Sequence, residues 1–273
     1  MPACFFALPQ VRTPFATFMY DDDVLSPFWS DMVAGLERWR ADVVMGFSAE
    51  GDVRDVVSFA RVAQARLATP SFLLRAFCGC GHELSRHGLP YSPICCLTRA
   101  DRLLAWAEEV KRFTRGRPLR EYFMTKRNAG PDLLIYFHSI LNHEREIPVL
   151  DGPVAQFSAH VGSMTSNFEP TDLTIGYWLA RVWLSDQLRA RRRARDGGWV
   201  AAYTIKQGVR LLWKRVRRGR VEWLGSLAGE VVALAGRSLA SRCACSFLKC
   251  LLIQLLPRGW RPRFGLSTRT EAL

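Results

Sequence analysis

The sequence lacks any long apolar run that is free of polar side chains. The longest candidate, residues 243–256, covers 14 positions and contains Lys249 and Gln254, whereas a membrane-spanning helix needs about 20 apolar residues. The first 15 residues also lack the basic start of a secretory signal and contain three prolines. We therefore expect no transmembrane segment and a reducing compartment, in which the eight cysteines are free thiols or metal ligands.

Catalytic motifs are also missing. The chain contains no G-x-S-x-G, no P-loop and no G-x-G-x-x-G. His138 and His143 lie near Glu144 and Glu146, but they are five positions apart. That spacing does not place both histidines on one helix face, as the i, i+4 pair of a zinc protease requires. The sequence predicts no catalytic residues and a protein that is not an enzyme.

The last third of the chain has few acidic side chains. Residues 181–273 hold 20 Lys and Arg against 5 Asp and Glu, a balance of +15, whereas residues 1–180 hold 18 against 20, a balance of −2. The excess positive charge of the protein, +13 in all, therefore lies in this third. Such asymmetry predicts an anionic partner, which would be nucleic acid, a ribonucleoprotein or an anionic membrane surface.

The composition is that of a folded chain, because 49% of its 273 residues are apolar and 9 Trp and 16 Phe are available for a core. Apolar residues recur mostly at intervals of three and four. This pattern predicts a mainly α-helical fold with a few short strands and an irregular loop region that contains cysteines and histidines. We expect an N-terminal body of mixed, largely helical structure at 1–150, a basic helical region at 171–256 and a basic, disordered tail at 257–273.

Several local predictions rest on spacing and on glycine and proline. A helix is expected over Asp52–Leu67, and the apolar run Leu133–Phe137 fits a short buried strand. The prolines and glycines of 148–170 predict a long loop or a domain boundary, and Gly197 with Gly198 predicts a helix break. Three helices are expected after that break: Val200–Arg218, Val221–Leu239 and Ser241–Leu256.

Two basic clusters in the C-terminal third are the candidate anion- or nucleic-acid-binding surface. Their members are Arg189, Arg191, Arg192, Arg193 and Arg195, then Lys206, Arg210, Lys214, Arg215, Arg217, Arg218 and Arg220. Arginine donates paired hydrogen bonds to phosphate oxygens, and the interleaved Trp199, Tyr203, Trp213 and Trp223 offer rings that stack on bases. The same pattern also fits a solvated helix face, a nuclear-import sequence or a membrane-surface patch.

The Cys/His segment is a candidate zinc site. Its donor residues are Cys78, Cys80, His82, His87, Cys95 and Cys96. Thiolates and imidazoles are the preferred zinc ligands, but C-x-C and adjacent cysteines differ from the C-x₂₋₄-C pairs of zinc modules. The alternative is a loop with incidental thiols, since free cysteine behaves as a small hydrophobe. We expect no cofactor, with zinc as the open alternative.

One segment resembles a known family. The sequence FTRGRPLRE at 113–121, followed by GPDLLIYF at 130–137, resembles a stretch in the non-structural NSs proteins of phleboviruses, in their Uukuniemi-like, tick-borne branch. The positions that carry the resemblance are Phe113, Pro118, Leu119, Gly130, Pro131, Leu133, Tyr136 and Phe137. Pro131 would fix a turn and Leu133 and Phe137 would pack inward, so these residues are expected to form scaffold.

The resemblance implies a viral, non-enzymatic protein that binds host innate-immune signalling proteins and antagonises the interferon response. It places the protein in the host cytoplasm, with the nucleus as the alternative, and allows self-association. The charge favours a second interpretation, in which the chain is a basic protein that binds RNA or ribosomal subunits and has no immune role. A zinc-stabilised regulatory domain is the third.

Overall fold

The computed structural model divides the chain into two compact units, Met1–Leu173 and Thr174–Leu273. The residues it describes are 7–20, 23–51, 55–61, 64–79, 93–121, 130–158, 170–242 and 244–255. The predicted mainly α-helical fold with a few short strands is confirmed. The predicted basic tail at 257–273 and residues 80–92 of the Cys/His region lie outside the described residues.

The described part of the N-terminal unit combines helices with one sheet. Its helices are α1 (Ser30–Trp39), α2 (Pro70–Gly79), α3 (Ala100–Thr114), α4 (Pro118–Glu121) and α5 (Gly130–Leu141). Its strands are β1 (Phe15–Ala16), β2 (Val24–Leu25), β3 (Val43–Gly51), β4 (Ala65–Ala68), β5 (Cys96–Arg99) and β6 (Ile147–Ser158). Short 3-10 turns lie at Leu8–Gln10 and Pro93–Cys95.

The described strands form a single sheet in the order β1-β5-β3-β6-β2, with β4 also paired to β6. The β3–β6 pair is parallel and the other pairs are antiparallel. Helix α1 covers part of this sheet, because Met32 and Leu36 join Val44, Leu97 and Val154 in one buried cluster. A Cβ at Gly46 would come within 2.6 Å of Val154, so the close approach of β3 and β6 requires glycine there.

One prediction in this unit is wrong because tertiary contacts override local spacing. The helix expected over Asp52–Leu67 is absent from its described residues, since 55–61 are irregular and 65–68 form β4. The buried side chain of Gln156 on β6 holds this segment in place. Its Oε1 accepts a hydrogen bond from the Val57 N–H at 2.7 Å, and its Nε2 donates to the Asp55 carbonyl at 3.4 Å.

Two further corrections concern apolar and proline-rich runs. Leu133–Phe137 belongs to α5 and not to a strand, because this helix is buried around most of its circumference and so shows no helical period. The first part of the predicted loop at 148–170 is strand β6. Pro153 is tolerated in it beside an irregularity in the register between β3 and β6.

The C-terminal unit is helical in its described part. Its helices are α6 (Pro170–Ala190), α7 (Ala194–Arg217), α8 (Leu224–Leu239) and α9 (Ala244–Leu255). Helix α7 packs against both α8 and α9. Buried Trp178 of α6 donates its indole N–H to the Thr204 carbonyl of α7 at 2.7 Å, which joins these two helices as well. Helix α7 is therefore the central element of the unit.

The predicted break at Gly197 and Gly198 is wrong, because both glycines lie inside α7. A Cβ on Gly198 would come within 2.7 Å of the backbone nitrogen of Phe247 and the backbone carbonyl carbon of Ser246, both in α9. A Cβ on Gly208 would come within 2.6 Å of Val231 in α8. The glycines allow neighbouring helices to approach α7 closely, at a cost in helix propensity of about 1 kcal/mol each.

The break between α6 and α7 lies at Arg191–Arg193 and not at the two glycines where it was predicted. Arg192 has φ of 56°, which is the left-handed conformation usual for the residue that ends a helix. The Arg193 N–H donates to the Leu188 carbonyl at 2.9 Å, and the Arg192 N–H donates to the Arg189 carbonyl at 3.1 Å. These two bonds form a Schellman-type cap, which ends α6 without glycine.

Candidate nucleic-acid interface

The structure places most of the predicted basic residues on the surface, but it divides them into three groups. The exposed residues are Arg191, Arg192, Arg195, Arg210, Lys214, Arg217, Arg218 and Arg220. Arg189, Arg193 and Lys206 are half-buried, and Arg215 is buried. The exposed group is the one that a large anionic partner can reach most readily.

The first basic cluster has a structural role in part. Arg189 forms an ion pair with Asp186 at 3.2 Å, and Arg193 forms one with Asp196 at 2.6 Å. Asp186 also receives hydrogen bonds from Arg237 of α8, at 3.0 and 3.3 Å. Half-buried ion pairs of this kind fix the turn between α6 and α7 and the position of α8. The pairing of Asp186 with Arg237 could not be predicted from the sequence, since residues 51 positions apart form no local pattern.

Arg215 contributes to the fold and not to the surface. Its side chain is 1% exposed, and its Nε donates to the Glu222 carbonyl at 3.2 Å. This bond spans the turn in which Gly219, at φ of 65°, ends α7. Cations in the last turn of a helix also stabilise its negative end. Part of the charge predicted to meet a ligand therefore stabilises the C-terminus of α7.

The C-terminal half of α7 carries a row of exposed cations. We call Arg210, Lys214 and Arg217 the basic row. They are spaced four and three residues apart, which places them along one side of the helix at intervals of about 5–6 Å. Within the described part of the chain, none of the three forms an ion pair or a side-chain hydrogen bond. Their charges therefore face solvent without internal compensation.

The aromatic residues near the basic clusters differ in how far their rings are exposed to solvent. Trp199 and Tyr203 stack on each other with ring centroids 5.5 Å apart, and buried Arg181 lies over Tyr203 at 5.9 Å. Trp223 is half-buried. Trp213 is different, because 63% of it is exposed and it lies beside the basic row. Of the four predicted aromatics, it is the one with a largely open ring.

An exposed apolar stripe lies beside the basic row and was not predicted from the sequence. Val209, Trp213 and Val216 are 53%, 63% and 56% exposed. Each precedes a member of the basic row by one position, so the two rows run side by side along α7. The pattern could have been found from the repeated apolar–basic pairs at 209–210, 213–214 and 216–217. It was obscured because valines at helical spacing usually indicate a buried face.

The candidate zinc ligands lie in different local settings. Cys78 is buried in α2, Cys95 is buried at the end of the 3-10 turn Pro93–Cys95, and Cys96 is buried at the start of β5. Cys80, His82 and His87 lie outside the described residues. In the part of the chain that the structure describes, no group of three or more His, Cys, Asp or Glu side chains is placed to hold a metal ion. The six-residue zinc set therefore stays a prediction.

Residues around β5 and α5 combine sulfur, hydroxyl and imidazole groups, but their chemistry does not favour nucleophilic catalysis. Burial raises the pKa of the Cys96 thiol to about 12, although a hydrogen bond with the Ser139 side chain lowers it. A thiol with that pKa is protonated at neutral pH and is a poor nucleophile. His138 is buried, with its Nε2 3.9 Å from Glu109 Oε1. Burial also lowers the pKa of His143.

Cysteine reactivity gives a direct check of this packing. In the folded protein, iodoacetamide at pH 8 is expected to modify exposed Cys245 at least about 100-fold faster than Cys96, because access and thiolate content both limit Cys96. Peptide mapping by mass spectrometry measures the two rates. In urea the rates should become similar. Comparable rates in the folded protein would contradict the buried placement of β5.

Most of the described side chains that carry the family resemblance are internal. Leu119, Leu133, Tyr136 and Phe137 are buried. The half-buried Phe113 ring lies 4.3 Å beneath the Arg120 guanidinium, and Pro118 is exposed at the start of α4. Gly130 and Pro131 begin α5. Among these positions, Leu119, Leu133, Tyr136 and Phe137 therefore contribute to the core of the N-terminal unit.

The comparisons with known proteins give no relative. No family model, no curated protein and no solved structure matches the chain. Among the described residues, no helix is both long enough and apolar enough to cross a membrane. The function therefore has to be inferred from the surface chemistry of the chain itself.

Proposed function

We propose that this chain is a non-catalytic RNA-binding protein whose contact surface is the basic row of α7. The observation that carries the proposal is the exposure of Arg210, Lys214 and Arg217 without an internal carboxylate partner among the described residues. Lys214 and Arg217 lie in the last turn of α7, where the negative end of the helix favours cations. Exposed charges of one sign along a helix nevertheless repel each other. A polyanion removes that repulsion.

The geometry of the row suits a phosphate backbone. Its members lie about 5–6 Å apart along the axis of α7, and a guanidinium donates paired hydrogen bonds to phosphate oxygens. Arg218 and Arg220 extend the positive potential past the end of the helix. Arg191, Arg192 and Arg195 add charge near its start. Several phosphates can therefore be neutralised by one unit, which releases condensed counterions and drives binding.

A salt titration tests this proposal. The full chain is mixed with a fluorescein-labelled, 20-nucleotide single-stranded RNA, and Kd is measured by anisotropy from 50 to 200 mM KCl. We expect log Kd to rise linearly with log salt, with a slope of about 2 or more, since each neutralised phosphate of a single strand contributes about 0.7. Absence of binding at 50 mM KCl, or an affinity that does not depend on salt, would contradict the proposal.

We further propose that the chain acts as an antagonist of the host interferon response. The resemblance at 113–121 and 130–137 alone supports it, and four of the positions that carry it are buried: Leu119, Leu133, Tyr136 and Phe137. Affinity purification from host cells, with and without nuclease, separates it from the RNA-binding proposal. Partners that are kept after nuclease treatment indicate direct contact with host proteins, whereas partners that are lost indicate contact through RNA.

A further inference from the structure

Trp213 is exposed in a way that folding does not explain. It is the single exposed tryptophan among the eight that the structure describes, whereas Trp106, Trp178 and Trp183 are buried. Within the described residues its indole makes no hydrogen bond and no ring contact. Tryptophan is usually highly buried, so a largely open indole on a well-packed helix is an unusual surface feature.

The neighbours of Trp213 define a small composite surface. Val209 and Val216 lie one turn before and one turn after it, and the basic row runs directly alongside. An apolar, flat group beside evenly spaced cations matches a chain that alternates apolar, flat bases with anionic phosphates. Single-stranded nucleic acid has this alternation on its surface. In a duplex, the faces of the bases are covered by their stacked neighbours, and phosphates are the main groups available to this row.

We infer that Trp213 stacks on an unpaired base, so that the α7 surface prefers single-stranded RNA over duplex RNA. This inference rests on the proposed function, since the basic row supplies the phosphate contacts and Trp213 supplies the discrimination. Stacking tolerates any base, because every base has a π-face. We therefore expect little sequence preference within single strands.

The same residues are less well suited to binding an anionic membrane surface. The apolar stripe extends from Val209 to Val216, which is about 10 Å along the helix, and cations Lys206 and Arg220 lie beyond its two ends. Partition into a bilayer interface grows with the apolar area buried, and two valines and one tryptophan supply little. Stacking on a base needs only the one ring.

Replacing Trp213 with alanine tests the inference. We expect W213A to weaken binding of the full chain to a 20-nucleotide single-stranded RNA by about tenfold, and binding to a 20-base-pair RNA duplex by less than about twofold. The salt dependence should stay unchanged, because no charge is removed. W213F should keep most of the affinity, since it keeps a ring. V232A, which trims another exposed apolar side chain, on α8, is the matched control and should have no effect.

The outcomes distinguish the stacking of Trp213 from RNA binding by the basic row. Equal losses for single-stranded and duplex RNA, or no loss for either, would overturn the stacking inference and leave salt-dependent RNA binding intact. If the wild-type chain does not bind RNA, both proposals fail. Retention of the wild-type chain on vesicles of phosphatidylserine and phosphatidylcholine, lost in W213A while RNA binding is unchanged, would assign the surface to a membrane and also overturn the inference.

Discussion

The substitution Gly198→Ala is expected to lower the free energy of unfolding of the C-terminal unit by about 2 kcal/mol. Its Cβ would meet the backbone of α9 at 2.7 Å, and a backbone cannot rotate away as a flexible side chain can. Helices α7 and α9 would have to separate, and overpacking of this kind costs about 1–3 kcal/mol or more. The better helix propensity of alanine offsets about 1 kcal/mol of that loss.

Thermal unfolding followed by circular dichroism measures this effect, which should lower Tm by roughly 10 °C in a unit of this size. The matched control is Gly229→Ala on α8, because a Cβ there meets nothing within 4 Å. That variant should be unchanged or stabilised by up to about 1 kcal/mol. If Gly198→Ala were as stable as Gly229→Ala, the close contact between α7 and α9 would be wrong.

Removal of the basic row should cause the largest loss of affinity for RNA. The triple variant Arg210→Ala, Lys214→Ala, Arg217→Ala is expected to weaken binding about 50-fold at 150 mM KCl, since three single-strand phosphate contacts contribute about 0.7 each to the salt exponent. All three residues are exposed and make no ion pair in the described part of the chain. The fold should therefore stay intact, and the Tm should change little.

A control of equal charge shows whether position matters. The substitutions Arg112→Ala, Arg115→Ala and Arg145→Ala also remove three exposed positive charges, but from the N-terminal unit. We expect this control to lose less than about threefold in affinity, because charges outside the proposed contact act only through screened fields. Equal losses in the two variants would mean that net charge, and not the basic row, determines binding.

Amphipathic helices were the part of the fold that the sequence could predict. Helix α3 at Ala100–Thr114 has the pattern that makes this possible, because one side is buried through Leu103, Trp106 and Val110. The helices expected at 221–239 and 241–256 are found at Leu224–Leu239 and Ala244–Leu255 for the same reason. The alternation of apolar and polar residues along a helix lies within a short stretch of sequence, so it can be seen without the tertiary structure.

Long-range contacts determined the features that could not be predicted. Gly198 looks like a helix breaker in isolation, and only the approach of α9 explains a glycine inside α7. Likewise, Arg215 and Arg217 are chemically the same and two positions apart, yet one is buried and the other is exposed. The density of positive charge in the sequence therefore indicated the candidate surface. Only the packing of α7 shows which of the cations are exposed on it.

The salt exponent of the triple variant shows directly whether the basic row contacts RNA phosphates. Kd for the 20-nucleotide single strand is measured from 50 to 200 mM KCl for the wild-type chain, the triple variant and the charge-matched control. We expect the exponent of the triple variant to be smaller than that of the wild type by about 2, and the exponent of the control to be unchanged. An exponent in the triple variant equal to that of the wild type would show that these three cations do not touch the RNA.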